Sequence, residues 1–437
     1  MKRTPIDRVL QPLNNYISKS ATSGILLFIS ALSAIVMANI PATSHMYHNL
    51  WEIKFTIGFE PYAISKNLHH WINDGLMSIF FFVVGLELKR EIMAGELSNP
   101  KDAMLPIIAA VGGMVFPALI YALFNLNTDS SGGWGIPMAT DIAFALGILY
   151  LLGDRIPTSL KIFLTALAIA DDLGAVLVIA FFYSSDISIS SLAYGLLFLV
   201  ILIAGNYMGV RKALFYGIIG IGGVWLAFLL SGVHATIAGV LAALTIPANV
   251  KVNERQYVSK LNQLNRQFES ADPNNNSLVT KEQFNILEEI VTHTKAALTP
   301  LQRLEHGLHP IVAYFVMPIF AFANAGITLS GDVLSSLTSN VALGVMFGLL
   351  FGKTIGVLLL SKLAIHFKIA SLPTGTNFKM IIGASLLASV GFTMSLFITE
   401  LAFQNPEYIF EAKLGVLAAS TIGGLLGYFY LRKVTAV

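Results

Sequence analysis

The chain has 437 residues, of which 55% are hydrophobic and only 12% charged. A water-soluble domain carries about 25% charged residues, so a soluble globule is excluded. A net charge of +2 offers little to a polyanion, so nucleic acid is not an expected partner, and the absence of cysteine excludes disulfides and thiolate metal or redox centres. Apolar runs recur along the whole length, which reads as one membrane transport domain over residues 1–437 with the lipid bilayer around it.

Residues 1–20 are polar and basic and lack a small-residue cleavage site after a short apolar core, so 23–40 reads as a retained span, not a signal peptide. Twelve candidate spans follow, at about 21–39, 70–88, 104–124, 136–152, 159–183, 187–205, 213–230, 234–248, 308–328, 341–361, 380–400 and 411–431. An even number places both termini on one side. Nearly all of the 27 Lys and Arg residues fall on that side, against Lys54, Lys66 and Lys413 on the other, which makes it cytoplasmic.

Between the first two spans, residues 51–57 alternate apolar and polar, Gly58 follows, and a second short run covers 62–64. That period of two predicts a small periplasmic β-hairpin within 45–66. A lone hairpin is marginally stable, so it needs support from a second copy of the chain, making a homodimer, or from its own helices.

The fourth span holds Pro137 near its start and Thr140-Asp141 inside the apolar run. This predicts an interrupted helix whose freed backbone groups face protein or a cavity. The fifth span carries Asp171 and Asp172 as the only charges of residues 162–182, near their midpoint. One Asp at a helix centre costs roughly 2.5–3.5 kcal/mol. The pair therefore either pins neighbouring helices together or forms a site where small cations and protons compete.

Residues 249–307 form the one large polar insertion, on the cytoplasmic side between spans eight and nine, with helix-like stretches at 257–268 and 281–295. Its segment 272–283 resembles a calcium loop, with Asp272, Asn274 and Asn276 at the first three ligand positions and Thr280 at a later one. Ser277 stands where a turn glycine belongs and Gln283 replaces the bidentate Glu, so a plain solvated loop is the competing expectation.

In the tenth span, Gly344, Gly348, Gly352 and Gly356 recur every four residues and make one face flat enough for close helix contact. Lys353 lies about 100° round from that face and is too central to reach water by snorkelling, so pairing with a buried Asp is expected. Adjacent residues on a helix point about 100° apart, so one of Asp171 and Asp172 can meet Lys353 while the other faces an ion cavity. The eleventh span breaks at Gly391, Thr393 and Ser395. Interrupted spans in both halves point to a midplane site formed by an inverted repeat.

Four motifs carry a resemblance: Ala139-Thr140-Asp141-Ile142-Ala143-Phe144-Ala145, the stretch 166–174 around Asp171-Asp172, Ser231-Gly232-Val233-His234-Ala235-Thr236, and Phe320-Ala321-Phe322-Ala323-Asn324-Ala325-Gly326. Together they resemble the NhaA family of bacterial sodium/proton antiporters over nearly the whole chain, residues 249–307 excepted. The resemblance implies an all-α polytopic fold of about twelve helices, with an inverted repeat and two discontinuous crossing helices, an architecture for which this family is an established example. It also implies exchange of Na⁺ or Li⁺ for H⁺ across the bacterial inner membrane. No covalent step occurs, so the chain would be a secondary transporter and not an enzyme, with no cofactor besides its substrate ions. By the same resemblance Asp172 is the principal cation ligand, Asp171 the partner of Lys353, and Thr140 and Asp141 shape the crossing, Asp141 offsetting facing helix N-termini. A pH-sensing cluster maps onto Glu87, Arg90 and Glu91 with Glu305, His306 and His309, and His234 matches a further pH-linked position.

Unperturbed histidine titrates between pH 5 and 8, though a helix-end His is also a common satisfied polar group. The family often has proline after the lysine, where this chain has Thr354, and the 249–307 insertion enters beside His306, so the usual pH profile is not assumed. The competing function is a proton-coupled symporter of a small solute. It would need a roomier site with aromatic or Arg contacts.

Overall fold

The computed structural model describes residues 20–58, 63–95, 97–184, 187–271, 278–329 and 333–435. In chain order its helices are α1 (Ser20–Asn39), α2 (Pro41–Glu52), α3 (Leu68–Ala94), α4 (Pro100–Asn125), α5 (Ile142–Leu151), α6 (Thr158–Phe182), α7 (Ile189–Tyr207), α8 (Ala213–Leu229) and α9 (Ala235–Thr245). They continue with α10 (Glu254–Ser270), α11 (Lys281–Ala297), α12 (Pro300–Asn324), α13 (Asn340–His366), α14 (Phe378–Ala388), α15 (Phe392–Ala402) and α16 (Pro406–Val434), with an unnumbered five-residue helix, Val333–Leu337, before α13. A 3₁₀ segment, Ser131–Met138, leads into α5.

The chain writes many of its own helix starts. Asn99, Thr299 and Asn405 each precede a proline, and their side chains accept from Lys101, Gln302 and Glu407 backbone N–H groups while the proline occupies the first helical position. This places a polar cap and a residue without an N–H where orphan donors would otherwise stand.

Among the described residues, nine helical stretches are long and apolar enough to cross a membrane, and α14 with α15, bent by 45° at a short break, make a tenth if taken as one span. The protein is therefore a multi-pass membrane protein. The windows predicted at 213–230 and 234–248 fall on α8 and α9, two shorter apolar helices. At 11 residues, α9 spans about 17 Å, well short of the ~30 Å hydrocarbon core, so length alone does not yield twelve spans.

The predicted hairpin is present with later bounds. Strands β1 (Lys54–Ile57) and β2 (Ile64–Asn67) pair antiparallel, Lys54 opposite Asn67 and Ile57 opposite Ile64. Residues 59–62 lie outside the described residues. Trp51 and Glu52 instead close α2, a helix that the alternating pattern hid. Helical spacing won there because Tyr47 and Trp51, four apart, meet edge to face and both pack on Phe322 at 5.5 and 5.7 Å between ring centroids. The hairpin rests on its own chain: Leu68 donates to Ile53 O at 2.8 Å and Trp71 Nε1 to Phe55 O at 2.9 Å.

The glycine face of α13 packs on α4 and on the 3₁₀ segment. A Cβ on Gly348 would lie 2.8 Å from Pro137, one on Gly352 would lie 2.7 Å from Pro117, and one on Gly356 would strike the Gly112 carbonyl. This close approach turns Lys353, which ends a wide π-type turn (Gly348–Lys353), inward between α4 and α6.

In the insertion, α10 and α11 cover both predicted helical stretches and enclose a small core of Leu264, Ala271 and Ile286. Asp272, Asn274 and Asn276 lie outside the described residues. Of the other calcium-loop positions, Thr280 and Gln283 form a reciprocal capping box at the start of α11, so each already satisfies the other's backbone N–H.

Candidate functional site

Two non-helical breaks meet in the core. The first, residues 139–141, separates the 3₁₀ segment from α5, with Ala139 and Asp141 both in extended backbone. The second, 389–391, separates α14 from α15. Asp141 N–H donates to Val390 O at 2.7 Å, and Ser395 Oγ donates across to Ile136 O at 2.8 Å. Backbone groups freed by the breaks are thus satisfied by the opposite break, as a membrane interior requires.

Asp141 serves both half-helices that begin here. Its Oδ1 accepts from Phe144 N at 2.9 Å, capping α5, and its Oδ2 accepts from Thr393 N at 3.0 Å and Thr393 Oγ1 at 2.5 Å, at the first turn of α15. One carboxylate therefore faces the positive ends of two helix dipoles. Asp141 is fully buried, and such a charge is tolerable only with donors of this kind.

Next to it, α6 contributes Asp171 and Asp172, and α13 contributes Lys353, all three with no exposed surface. Lys353 Nζ donates to Asp171 Oδ2 and to the Met138 carbonyl, so the lysine closes the C-terminal end of the 3₁₀ segment while pairing with one aspartate. The Thr140 hydroxyl lies 2.7 Å from the same Asp171 oxygen and 2.9 Å from Ala388 O, one proton between two acceptors. Asp172 points elsewhere, and neither of its carboxylate oxygens has a hydrogen-bond partner among the described residues. It interacts electrostatically with Asp171, Lys353, Asp141 and Glu87. An ionised carboxylate so buried costs several kcal/mol, and a proton or a cation on those oxygens offsets that cost.

The structure thus brings Thr140, Asp141, Asp171, Asp172 and Lys353 together. It also gathers Glu87, Arg90 and Glu91 of α3 against α12. Arg90 bridges Glu305 at 2.6 Å and Glu91 at 2.7 Å, while His309 Nε2 lies 3.9 Å from Glu87. His306 is exposed and acts on Glu305 through space. His234 does not join this cluster: it sits at the start of α9, with Asp74 and His70 as its electrostatic neighbours. Sequence inspection missed the Met138 and Ala388 carbonyls and the Thr393 N–H, because backbone groups carry no letter. It also missed the Glu400–Lys413 pair at 2.7 Å, joined electrostatically to His69, which bonds Asn324 at 3.0 Å. No single residue there stands out from its neighbours in sequence.

Fold and site together define a multi-pass membrane protein with a charged cluster held out of water at two facing helix breaks, the class to which ion carriers belong. A profile of the family described as Na+/H+ antiporter 1 matches residues 14–431. The chain is 50% identical to the Na(+)/H(+) antiporter NhaA of Oleidesulfovibrio alaskensis, over 98% of this chain and 95% of that one. It is 47% identical to Na(+)/H(+) antiporter NhaA 1 of Saccharophagus degradans, over 98% of this chain and 92% of that one. The corresponding protein of Wolinella succinogenes is 49% identical, over 96% and 92% of the two chains. The chain belongs to the NhaA family of Na⁺/H⁺ antiporters.

Proposed function

We propose that this chain exchanges Na⁺ for H⁺ across the membrane by making the two ions compete for Asp172. The observation that carries the reading is the Asp172 carboxylate, fully buried, with neither oxygen hydrogen-bonded among the described residues, beside an Asp171 already committed to Lys353 and Thr140. An unpaired carboxylate of this kind takes a proton or a small dehydrated cation, and each excludes the other. Asp171 supplies a second oxygen toward the same cation. Lys353 holds Asp171 in place when no cation is bound, and Asp141 with Thr140 keeps the two breaks in register. The ions are substrates, and the cycle needs no resident cofactor and no covalent step.

Around this site we read twelve crossings, with α8 and α9 as short spans and α14–α15 as one broken span, arranged as an inverted repeat. Both termini then face the cytoplasm of a bacterial cell, with the protein in the inner membrane, the insertion of α10 and α11 on the same side and the β1–β2 hairpin outside. The exposed Phe55 and Ile57 on that hairpin suit contact with a second copy. Li⁺, smaller than Na⁺ and of equal charge, is a further substrate. Whether residues 272–283 take calcium is separable from transport.

The test is ion flux in proteoliposomes. Addition of Na⁺ or Li⁺ on one side is expected to move protons the opposite way with no organic solute present. A requirement for such a solute would establish the symporter instead.

The Arg90–Glu305 bridge supports a role for the α3–α12 cluster in pH response. Removing the one strong cation of that cluster makes proton release from it harder. Arg90→Ala is therefore expected to move the onset of exchange to higher pH, with the maximal rate largely kept. An unchanged pH profile would remove the cluster from regulation.

A further inference from the structure

Behind the crossing, a cavity of about 650 Å³ opens sideways between α1, α5 and α16, a size typical of small-molecule pockets. It runs along α1 from Gly24 to Ile35, about 17 Å at 1.5 Å per residue, which is close to half of a ~30 Å hydrocarbon core. Its mouth is formed by Ile25, Phe28, Leu32, Leu151 and Leu425, each about half exposed on the outer surface of these helices. In a multi-pass protein an opening on this lateral surface, uncovered by the described residues, faces the lipid.

An arginine stands one helical turn beyond the end of the cavity nearer the chain termini. The wall on α16 is a stripe at three- and four-residue spacing: Leu417, Ser420, Thr421, Gly424, Leu425 and Tyr428. Arg432 is four residues beyond Tyr428 and exposed, so it continues the stripe to the membrane surface. The inner end of the cavity reaches Phe144 and Phe392, whose rings lie 5.7 Å apart, with Phe28 6.3 Å from Phe144. Phe392 N–H donates to Ser420 Oγ at 3.2 Å, so the cavity floor is the flank of the α15 break.

We infer that this cavity is a binding site for one anionic phospholipid, an acyl chain filling the space between α1, α5 and α16 and the phosphate meeting Arg432. An acyl chain matches the apolar walls and the one-leaflet length, and a negative headgroup matches the arginine one turn beyond them. In the orientation proposed above, the lipid comes from the cytoplasmic leaflet. The inference rests on the membrane placement of the chain and not on the assignment of Asp172, so either can fail without the other.

The experiment is native mass spectrometry of the full chain, stripped of lipid in detergent and titrated with phosphatidylglycerol or phosphatidylcholine. The wild type is expected to take up one phosphatidylglycerol saturably and to prefer it over phosphatidylcholine. Thr421→Trp fills the cavity from an exposed, lipid-facing position and is expected to weaken uptake at least tenfold. Leu119→Trp, on an exposed face of α4 away from the cavity, leaves uptake unchanged and controls for the added ring. Arg432→Gln is expected to erase the preference for phosphatidylglycerol while an acyl chain still binds. Absence of a saturable adduct, which is also the result if other parts of the chain cover the cavity, overturns the inference. So does an adduct of equal strength in Thr421→Trp.

Discussion

Everted vesicles carrying Asp172→Asn are expected to show no sodium-driven proton movement above vesicles that lack the protein, a loss of at least 100-fold. The variant should nevertheless reach the membrane in ordinary amount. Asn keeps the size of Asp but carries no charge to hold a cation and no acidic proton to release. Because the Asp172 oxygens have no hydrogen-bond partner among the described residues, the substitution breaks no hydrogen bond there. The unpaired amide costs about 1–3 kcal/mol, but the substitution also removes the burial cost of the charge, so stability should not fall. This combination separates a transport ligand from a structural pin. If Asp172 pinned helices together, its replacement would lower stability and activity in step.

The opposite pattern is expected one residue away. Lys353→Met leaves Asp171 buried with only Thr140, and Asp171→Asn leaves Lys353 buried with only the Met138 carbonyl and an amide. Removing one partner of a buried ion pair costs about 3–5 kcal/mol, whereas removing both charges together is often nearly neutral. Each single variant is expected to melt well below the wild type in detergent. The double variant Asp171→Asn/Lys353→Met should recover most of that loss, giving a coupling energy on the order of 3 kcal/mol. Additive losses would mean that the two groups do not act as a pair. Exchange in the double variant then reports whether the pair is needed for turnover or only for the shape of the crossing.

The elements that carry these predictions were the most legible in the sequence, for a physical reason. A charge inside an apolar run is costly enough to be rare, so Asp141, Asp171, Asp172 and Lys353 stood out by position alone. The four-residue glycine spacing of α13 likewise foretold a close helix approach, which falls on α4, because only a missing Cβ permits it. That one aspartate would be committed and its neighbour left unpaired followed from the 100° between adjacent helical residues. Which was which came only from resemblance, and the geometry that decides it lies in Oδ atoms and carbonyls.

Other features were hidden because local pattern and tertiary packing disagreed. Period-two alternation at 51–57 suggested strand from Trp51 onward, but the edge-to-face packing of Tyr47, Trp51 and Phe322 held the first residues in α2. The calcium-loop spacing around Thr280 coincided with a helix cap, since Ser, Thr, Asn and Asp serve both turns and N-caps. His234 and the Glu87–Arg90–Glu305 group shared a predicted role, but His234 neighbours Asp74 and His70 near the start of α3 while Glu87 and Arg90 lie toward its end. No spacing rule relates residues that distant in sequence.

The most direct test of the competition at Asp172 is calorimetric. Na⁺ would be titrated into the purified protein in buffers of different ionisation enthalpy, at several pH values. Sodium binding is expected to expel protons, to weaken as the pH falls, and to vanish together with that release in Asp172→Asn. Sodium that binds without releasing protons, or binds Asp172→Asn as tightly as the wild type, would contradict the account.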